Sequence, residues 1–357
     1  MFDRRLITHF DWIFMLLVAG VAALGMINLY SATVNWGGGM PVYLKQMLWF
    51  GCGLLVVLAF CLFDYRHLEY LSIPAYGTVL LLLIAVLAVG RTSMGATRWL
   101  SVGGIGLQPS ELMKIVIIMV LARHFSEKGK VSGYSLRELL VPAVLVMKQP
   151  DLGTSLLLLA IGASMALFAG IGRPALVVLG TGGGLAAVGG WFLLHDYQRQ
   201  RVYTFLNPER DPLGAGYHII QSKIAVGSGG LFGLGFGKGT QSQLSFLPER
   251  HTDFAFSVFA EEWGFAGCLL LLALYLLIVL WGLYIARQAS DRFGMFLALG
   301  VSAMLFWHIV VNLGMVIGLL PVVGVPLPLF SYGGTSMLTT MTGVGLLLNV
   351  SMRRFMF

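Results

Sequence analysis

Charged residues are scarce in this sequence. Asp, Glu, Lys and Arg make up 11% of its 357 residues, while 57% are hydrophobic. A soluble domain carries about 25% charged and about 45–50% apolar residues. So few polar residues cannot cover a water-soluble core, which excludes an ordinary soluble enzyme or binding domain. The composition instead predicts an integral membrane protein.

Cysteine is also rare, and its positions argue against a cysteine-based site. Cys52, Cys61 and Cys268 all lie inside apolar runs, so neither a disulfide framework nor a zinc site is expected. The sequence has neither the G-x-S-x-G nor the H-E-x-x-H pattern. The formal net charge of +7 is explained by the positive-inside bias and by anionic lipid headgroups. Nucleic-acid binding is therefore not expected.

Apolar runs long enough to cross a bilayer recur along the chain. Crossing about 30 Å of hydrocarbon requires roughly 20 helical residues. The run at 136–171 could form one long helix, but Lys148, Gln149, Pro150 and Asp151 interrupt its middle, so it is divided into two spans. The predicted spans cover about 12–33, 45–63, 71–90, 109–125, 136–148, 152–171, 174–194, 264–286, 293–319 and 334–351.

The charges that flank these spans predict the orientation. Arginine pairs precede the first span, at 4–5, and follow the last, at 353–354, so both termini are expected in the cytoplasm. The predicted fold class is an all-α integral membrane protein with ten transmembrane helices in a single polytopic domain, 1–357. A long loop, at about 195–252 between helices 7 and 8, is expected outside, with short amphipathic elements. The first helix shows no clear cleavage site and is expected to be retained.

The stretch at 241–264 joins this loop to the eighth span and concentrates charge. Asp253 follows Arg250 and His251 at the start of a helical pattern. One interpretation makes Asp253 a helix N-cap. Another makes it a carboxylate at the outer mouth of a cavity, where it accepts a proton from a hydroxyl. Local sequence favours neither. Glu261 and Glu262 lie about 12 Å further along the helix and are expected near the membrane interface as packing groups.

Ionisable residues also occur near the starts of the fourth and sixth spans. Glu111 and Lys114 lie three residues apart, on one helical face where they can pair. Such groups at membrane depth are usually functional, and the alternative is an ion pair that only holds helices together. Asp151 is predicted to be an N-cap, and Lys148 is a candidate partner.

Two glycine-rich stretches require interpretation. The stretch at 227–239 fits neither G-x-G-x-x-G nor the P-loop spacing, so a nucleotide site is not expected. The stretch at 331–336 opens the tenth span, where backbone N–H groups and the helix dipole could bind a pyrophosphate. The alternative is a tight turn into a helix. In the ninth span, His308 and Asn312 lie one turn apart and are expected to hydrogen-bond to neighbouring groups.

Five motifs together resemble a known family. They are Gly-Ala-Thr-Arg-Trp-Leu at 95–100, Gln-Pro-Ser-Glu-Leu-Met-Lys at 108–114, Gln-Pro-Asp-Leu-Gly-Thr at 149–154, Leu-Pro-Glu-Arg-His-Thr-Asp-Phe at 247–254 and Phe-Ser-Tyr-Gly-Gly at 330–334. In order and spacing they resemble the SEDS (shape, elongation, division and sporulation) family of bacterial peptidoglycan glycosyltransferases. Gln-Ser-Gln-Leu at 241–244 resembles the elongation branch. Thr97 and Ala255 depart from the family's usual basic and bulkier aliphatic residues.

The resemblance implies polymerisation of lipid II into glycan strands at the outer face of the bacterial cytoplasmic (inner) membrane during elongation. It places the family's essential aspartate at Asp253, a general base that activates the acceptor 4-hydroxyl, with inversion and with undecaprenyl pyrophosphate as leaving group. Implied partners are lipid II, the growing glycan strand, a class B penicillin-binding protein as transpeptidase and other elongation-complex membrane proteins. A lipid II flippase, a scaffold and the division-type member are the alternatives.

The departing pyrophosphate is expected to be stabilised by cations. A divalent ion, Mg²⁺ or Mn²⁺, is a candidate cofactor, and none is certain. The sequence does not rank the side chains that could serve. Candidate substrate-binding residues are Arg98, Glu111, Lys114, Asp151, Arg199, Arg201, Arg210, Lys223, Lys238, Arg250, His251, Ser331, Gly333 and Gly334.

Overall fold

The structure of the chain is a computed structural model. It describes residues 9–34, 40–93, 96–102, 105–170, 181, 199, 203–210, 215–243, 246–247 and 249–354. The helices are α1 (Trp12–Thr33), α2 (Val42–Leu62), α3 (His67–Val89), α4 (Pro109–Lys128), α5 (Gly133–Lys148), α6 (Leu152–Ala169), α7 (Ala215–Ser228), α8 (Thr240–Gln243), α9 (Ala255–Gln288), α10 (Arg292–Val316) and α11 (Gly334–Arg353).

The described helices match the predicted spans. Each predicted span within the described ranges coincides with one helix, while the seventh, 174–194, lies outside those ranges apart from residue 181. Helices α1, α2, α3, α6, α9 and α10 are long and apolar enough to cross a membrane. The chain is therefore a mostly helical, multi-pass membrane protein. Helix α7 lies in the long loop, where short amphipathic elements were expected.

Local sequence explains where several helices begin and end. Pro109 occupies the first turn of α4, and Gly129 ends that helix at φ 64°, a conformation that glycine adopts at little cost. Helix α5 starts with a capping box between Ser132 and Ser135. Asp291 caps α10 by accepting a 2.7 Å hydrogen bond from the Gly294 N–H. The short turns on both sides of α5 and between α9 and α10 thus have clear local causes.

A small sheet corrects the all-α prediction. Strands β1 (Arg91–Ser93), β2 (Ala96–Val102) and β3 (Ile105–Leu107) follow α3. They form an antiparallel sheet in the order β1-β2-β3, with Arg91 opposite Trp99 and Leu100 opposite Leu107. The segment is too short to span a membrane as a helix, and strand pairing satisfies its backbone hydrogen bonds.

Helix α9 is broken near its start, where an uninterrupted helix was expected. Gly264 has φ 63° and ψ −164°, and a turn at 229–237 docks onto the break. Its backbone exchanges hydrogen bonds of 2.9–3.0 Å with residues 261–266. A Cβ on Gly233 would lie 2.1 Å from the Glu262 carbonyl oxygen, so this approach requires glycine. The glycine-rich stretch therefore serves close backbone packing, which agrees with the absence of a nucleotide signature.

Helices α4 and α10 form the centre of the bundle. Helix α10 packs against α4, α6, α9 and α11, and α11 also packs against α2. Most residues of α4 and α10 are buried, whereas most of α2 and α3 face outward. Polar side chains on the central helices are therefore shielded from lipid, and their partners must come from the protein itself.

Candidate active site

Asp253 lies in a tight turn at 249–254, immediately before α9. Glu249 opens the turn at φ 50°, and its carbonyl oxygen accepts hydrogen bonds from the N–H groups of Thr252 (3.1 Å) and Phe254 (3.3 Å). The N-cap of α9 is Phe254, and no side chain caps this helix. The N-cap interpretation of Asp253 is therefore wrong, because the helix begins one residue too late for its side chain to cap.

Two neighbouring segments hold this turn by its carbonyl oxygens. The side-chain amide of Asn312, on α10, donates to the Asp253 carbonyl oxygen at 3.0 Å. The N–H of Tyr332 donates to the His251 carbonyl oxygen at 2.8 Å. Asp253 itself is half-buried, while Phe254 behind it is buried. The carboxylate is thus carried on a fixed backbone at the edge of the core.

The segment at 321–327 passes directly beside the Asp253 carboxylate. A Cβ on Gly324 would lie 3.4 Å from Asp253 Oδ2, and Gly324 has φ 73°. The Asn312 amide also donates to the Val325 carbonyl oxygen, at 2.7 Å. A Cβ on Gly153, at the start of α6, would lie 2.8 Å from the Val323 carbonyl oxygen. The carboxylate therefore lies where α6, α9, α10 and this segment converge.

Helix α7 closes another side of the same region. Ser222 Oγ lies 2.8 Å from Ser257 Oγ and donates to the Val316 carbonyl oxygen at 2.7 Å. The His218 ring stacks on Phe254 at 6.1 Å between centroids. Burial lowers the pKa of His218 below its ordinary value of 6.5, and the Glu249 carboxylate acts in the opposite direction. Helix α7, the described helix of the long loop, is therefore packed onto the Asp253 turn.

A buried ion pair lies below this turn. Lys114 Nζ donates to Glu111 Oε1 at 2.7 Å, as predicted, and lies 2.7 Å from His308 Nε2 on α10. An ammonium group can only donate, so Nε2 accepts and the ring proton lies on Nδ1. That proton points at the Met304 carbonyl oxygen, 2.7 Å away. His308 was expected to hydrogen-bond to a neighbouring group, and its bond to Lys114 makes it the third member of a cluster with Glu111 and Lys114.

Asp151 is the N-cap of α6, as predicted. Its carboxylate accepts hydrogen bonds from the Thr154 N–H at 3.2 Å and the Thr154 hydroxyl at 2.9 Å, and from Gln108 Nε2 at 3.2 Å. Its ion-pair partner is Arg98, at 3.8 Å, and Lys148 is exposed. Arg98 also donates to the Pro150 carbonyl oxygen. Strand β2 brings Arg98 to this corner, a placement that the loop sequence did not indicate.

Two backbone N–H groups of the turn before α11 have hydrogen-bond partners within the protein. The Ser331 N–H donates to the Leu327 carbonyl oxygen at 3.0 Å, and the Gly333 N–H donates to Gln46 Oε1 at 3.3 Å. A Cβ on Gly334 would lie 2.5 Å from the Trp49 ring. These contacts form the tight turn that was the alternative, and pyrophosphate binding by Ser331, Gly333 and Gly334 stays a prediction.

Comparison with known proteins assigns the family. A family model described as a cell cycle protein, covering FtsW, RodA and SpoVE, matches residues 9–355. The chain belongs to this family. The sequence-based recognition is confirmed, because FtsW, RodA and SpoVE are the division, elongation and sporulation types within one family.

Relatives and solved structures agree with the family assignment. Peptidoglycan glycosyltransferase MrdB of Escherichia coli K12 is 44% identical, over 92% of this chain and 91% of MrdB. A solved chain from work on a peptidoglycan synthase complex that coordinates polymerization and crosslinking has TM-score 0.83 and 37% identity, covering 98% and 99% of the two chains. RodA of Thermus thermophilus has TM-score 0.73 and 34% identity, covering 97% and 98%. The predicted class of enzyme, peptidoglycan glycosyltransferase, is confirmed.

Glu261 and Glu262, which were expected near the membrane interface as packing groups, are buried in the protein. Both side chains are at most 2% exposed. Glu261 Oε1 accepts from the Gln241 N–H at 2.9 Å and the Thr240 hydroxyl at 3.1 Å, and Glu262 accepts from Ser31. Their burial against the glycine-rich turn at 229–237 confirms them as packing groups, and their depth in the membrane stays a prediction.

Three further cations predicted to bind substrate differ in their exposure to solvent. Arg250 is buried, and burial lowers the pKa of its guanidinium group. Lys223 is exposed on α7, and a Cβ on Gly318 would lie 2.7 Å from its Nζ. Lys238 is exposed on the glycine-rich turn. Lys223 is thus attached to the segment that leads from α10 to Gly324.

Three arginines of the long loop were also predicted to bind substrate. Arg199 is half-buried, Arg201 lies outside the described residues, and Arg210 ends the short 3₁₀ helix Pro208–Arg210.

Within the described part of the chain, no three His, Cys, Asp or Glu side chains come together as metal ligands do. A divalent ion held by fewer side chains together with the phosphates of the substrate stays a prediction.

Proposed function

We propose that this chain polymerises lipid II into glycan strands, with Asp253 as the general base. The observation that carries this proposal is the placement of Asp253. Its carboxylate is half-buried beside Gly324, and its backbone is fixed by Asn312. A base must be rigidly held within hydrogen-bond reach of the proton that it removes. The family's named peptidoglycan glycosyltransferase activity supplies the reaction class.

The proposed reaction is a single displacement. Asp253 takes the proton of the 4-hydroxyl on the acceptor's N-acetylglucosamine. The oxygen then forms a bond to the anomeric carbon of the growing chain's terminal sugar, as the bond from that carbon to undecaprenyl pyrophosphate breaks. Because the nucleophile enters opposite the leaving group, the anomeric configuration inverts. Pyrophosphate already carries negative charge, so it needs a cation more than it needs a proton.

Lys223 is the cation proposed to receive the pyrophosphate. It is exposed, and it borders the segment that continues to Gly324 beside Asp253. By contrast, Arg98 is paired with the Asp151 corner, and Arg250 is buried. An exposed ammonium on a flexible stem can follow the phosphate as it departs.

The proposed topology has ten spans and cytoplasmic termini, with Asp253 at the outer face. Support comes from the opposite end of the bundle, where basic residues collect. Arg66, between α2 and α3, lies 3.4 Å from Asp291, between α9 and α10. Arg353, at the end of α11, lies 3.7 Å from Asp64. The positive-inside rule puts that end in the cytoplasm. Helix α9 begins beside the Asp253 turn and ends at that basic end, so the turn is proposed to lie at the outer face.

The proposed partner is a class B penicillin-binding protein that cross-links the new strands in the inner membrane. Its support is the similar solved chain, which comes from work on a peptidoglycan synthase complex that coordinates polymerization with crosslinking. Other membrane proteins of the elongation complex are proposed as further partners. The proposal of an elongation role also rests on the sequence at 241–244.

The test is a polymerisation assay on the purified chain with its transpeptidase partner and lipid II. We expect glycan polymer from the parent and a loss of about 10²–10⁴-fold in rate for Asp253→Asn. The matched control is Asp291→Asn, a helix cap at the cytoplasmic end, since asparagine caps nearly as well. Undiminished polymer from Asp253→Asn would refute the base assignment, and lipid II crossing sealed vesicles without polymer would favour a flippase.

A further inference from the structure

Asn312 joins the Asp253 turn to the segment beside its carboxylate. The side chain is fully buried on α10, and its one amide nitrogen donates two hydrogen bonds. One reaches the Asp253 carbonyl oxygen at 3.0 Å, and the other reaches the Val325 carbonyl oxygen at 2.7 Å. An amide nitrogen carries two hydrogens in one plane, so both are used to bridge two carbonyl groups.

The geometry fixes which way the Asn312 amide points. If oxygen and nitrogen were exchanged, an oxygen would face two carbonyl oxygens, and none of the three could donate. The amide oxygen, in turn, accepts no hydrogen bond from the described residues. A buried acceptor left in this way costs free energy. The side chain is therefore a poor choice for core stability alone, while its two donors are fully employed.

The bridged groups are those that define access to the carboxylate. Val325 follows Gly324, whose Cβ position lies 3.4 Å from Asp253 Oδ2. Holding the Val325 and Asp253 carbonyl oxygens on one nitrogen sets the separation between the carboxylate and this segment. The opening through which an acceptor hydroxyl would reach the carboxylate therefore depends on the Asn312 side chain.

We infer that Asn312 is a positioning residue for the polymerisation reaction, which sets the distance between the Asp253 carboxylate and the 322–325 segment. It touches the backbone on both sides and does not itself contact the reacting atoms. The inference rests on the proposed function, because it assigns a purpose to Asp253 as base. A misplacement of about 1 Å in such a site can cost about 100-fold in rate.

The chain contains a matched control for this bridge. Asn349, on α11, is also buried, and its amide nitrogen likewise joins two carbonyl oxygens, those of Phe60 at 2.5 Å and Phe63 at 2.8 Å. These carbonyls lie at the end of α2, at the opposite end of the bundle from Asp253. Replacing either asparagine by leucine keeps the number and branching of the side-chain heavy atoms and removes two amide-to-carbonyl hydrogen bonds. Asn349→Leu also removes the hydrogen bond that Asn349 Oδ1 accepts from Arg353, so it is the more disruptive of the two changes to the local structure.

The experiment compares Asn312→Leu and Asn349→Leu in the full chain with its transpeptidase partner and lipid II. We expect Asn312→Leu to lower kcat about 10- to 100-fold, with KM for lipid II within about threefold of the parent value. Asn349→Leu should lower the thermal midpoint at least as much as Asn312→Leu, because it also removes the Arg353 hydrogen bond, and should leave kcat nearly unchanged. If Asn312→Leu does not fold, Asn312→Asp, which has the same shape and cannot donate twice, should show the same loss of kcat.

Two results would overturn the inference. One is a kcat loss for the folded Asn312 variant no greater than that of Asn349→Leu. The other is a rise in KM that accounts for the whole loss of kcat/KM, because it would show a binding defect only. Failure of the proposed function is distinguishable, since Asp253→Asn would then polymerise normally whatever Asn312 does.

Discussion

Two polar regions that both contact α10 are built in opposite ways. In the buried cluster of Glu111, Lys114 and His308, the charged side chains bind each other, and Lys114 is 1% exposed. In the Asp253 turn, the bonds from Asn312 and Tyr332 go to backbone carbonyl oxygens. The first arrangement engages its ionisable groups in structure. The second anchors the chain by its backbone carbonyl groups, and it carries the half-buried carboxylate that we propose as the general base.

The two regions are also connected. His308 and Asn312 lie one turn apart on α10. His308 accepts the hydrogen bond from Lys114, and Asn312 holds the Asp253 turn, so one helix contacts both regions. A change in the buried cluster is therefore expected to act on the reaction through α10. A change beside the turn is expected to act on it directly. Measurements of stability and of rate can separate these two effects.

The largest effect on stability is expected when the buried cluster loses one member. Lys114→Met leaves the buried Glu111 carboxylate without its ammonium partner, which typically costs about 3–5 kcal/mol. Arg123→Met removes the cation of a more exposed ion pair on the same helix, in which Arg123 Nε lies 3.0 Å from Glu127 Oε1. This change should cost less than about 1 kcal/mol. Thermal unfolding in lipid nanodiscs measures both.

A second variant sharpens that comparison. The double variant Glu111→Gln with Lys114→Met removes both charges and should recover much of the lost stability, because no uncompensated charge remains. If this variant also recovers polymerisation, the cluster is structural. If stability returns and polymerisation does not, the buried charges contribute to the reaction as well, and the contrast between the two regions is weaker than stated.

Sequence reasoning recovered this cluster in part, for a physical reason. Helical spacing brings Glu111 and Lys114 onto one face, so their pairing follows from α4 alone. Capping chemistry likewise identified Asp151 correctly. The His308 contact depends on how α10 packs against α4, and spacing within one helix contains no such information. His308 and Asn312 were identified as polar groups one turn apart, without their partners.

The Asp253 turn was less predictable, because its geometry is set by tertiary contacts. The positive φ of Glu249 and the bond from Tyr332 delay the start of α9, so a favoured capping residue does not cap. The break at Gly264 requires the glycine-rich turn at 229–237 to dock against it. Each half of that contact was visible as glycine content, yet their pairing joins segments about 30 residues apart. Family resemblance, rather than local pattern, singled out Asp253.

An intermediate effect is expected beside the turn, at Lys223. Lys223→Gln should lower kcat/KM for lipid II about 10-fold, the equivalent of about 1.4 kcal/mol of lost charge stabilisation. Lys223→Arg should retain much of the rate, since it keeps the charge. Lys238→Gln, which removes an exposed lysine on the glycine-rich turn, is the control. Equal losses for Lys223→Gln and Lys238→Gln would indicate general attraction of an anionic substrate rather than a specific contact.

The smallest effect concerns the stability of the Asp253 turn as a function of pH. Burial lowers the pKa of His218 below 6.5, so the unfolded chain binds this proton more readily than the folded one. Stability is therefore complete above pH 6.5 and falls as the pH drops from there toward the folded pKa, by at most about 1.4 kcal/mol per pH unit. His218→Phe keeps the aromatic stack on Phe254 and removes the titration. We expect it to match the parent in thermal midpoint at pH 7.5 and to lose less than the parent at pH 5.5. An equal loss in both would assign the acid sensitivity to other groups, including His251, whose pKa is also lowered mainly by burial.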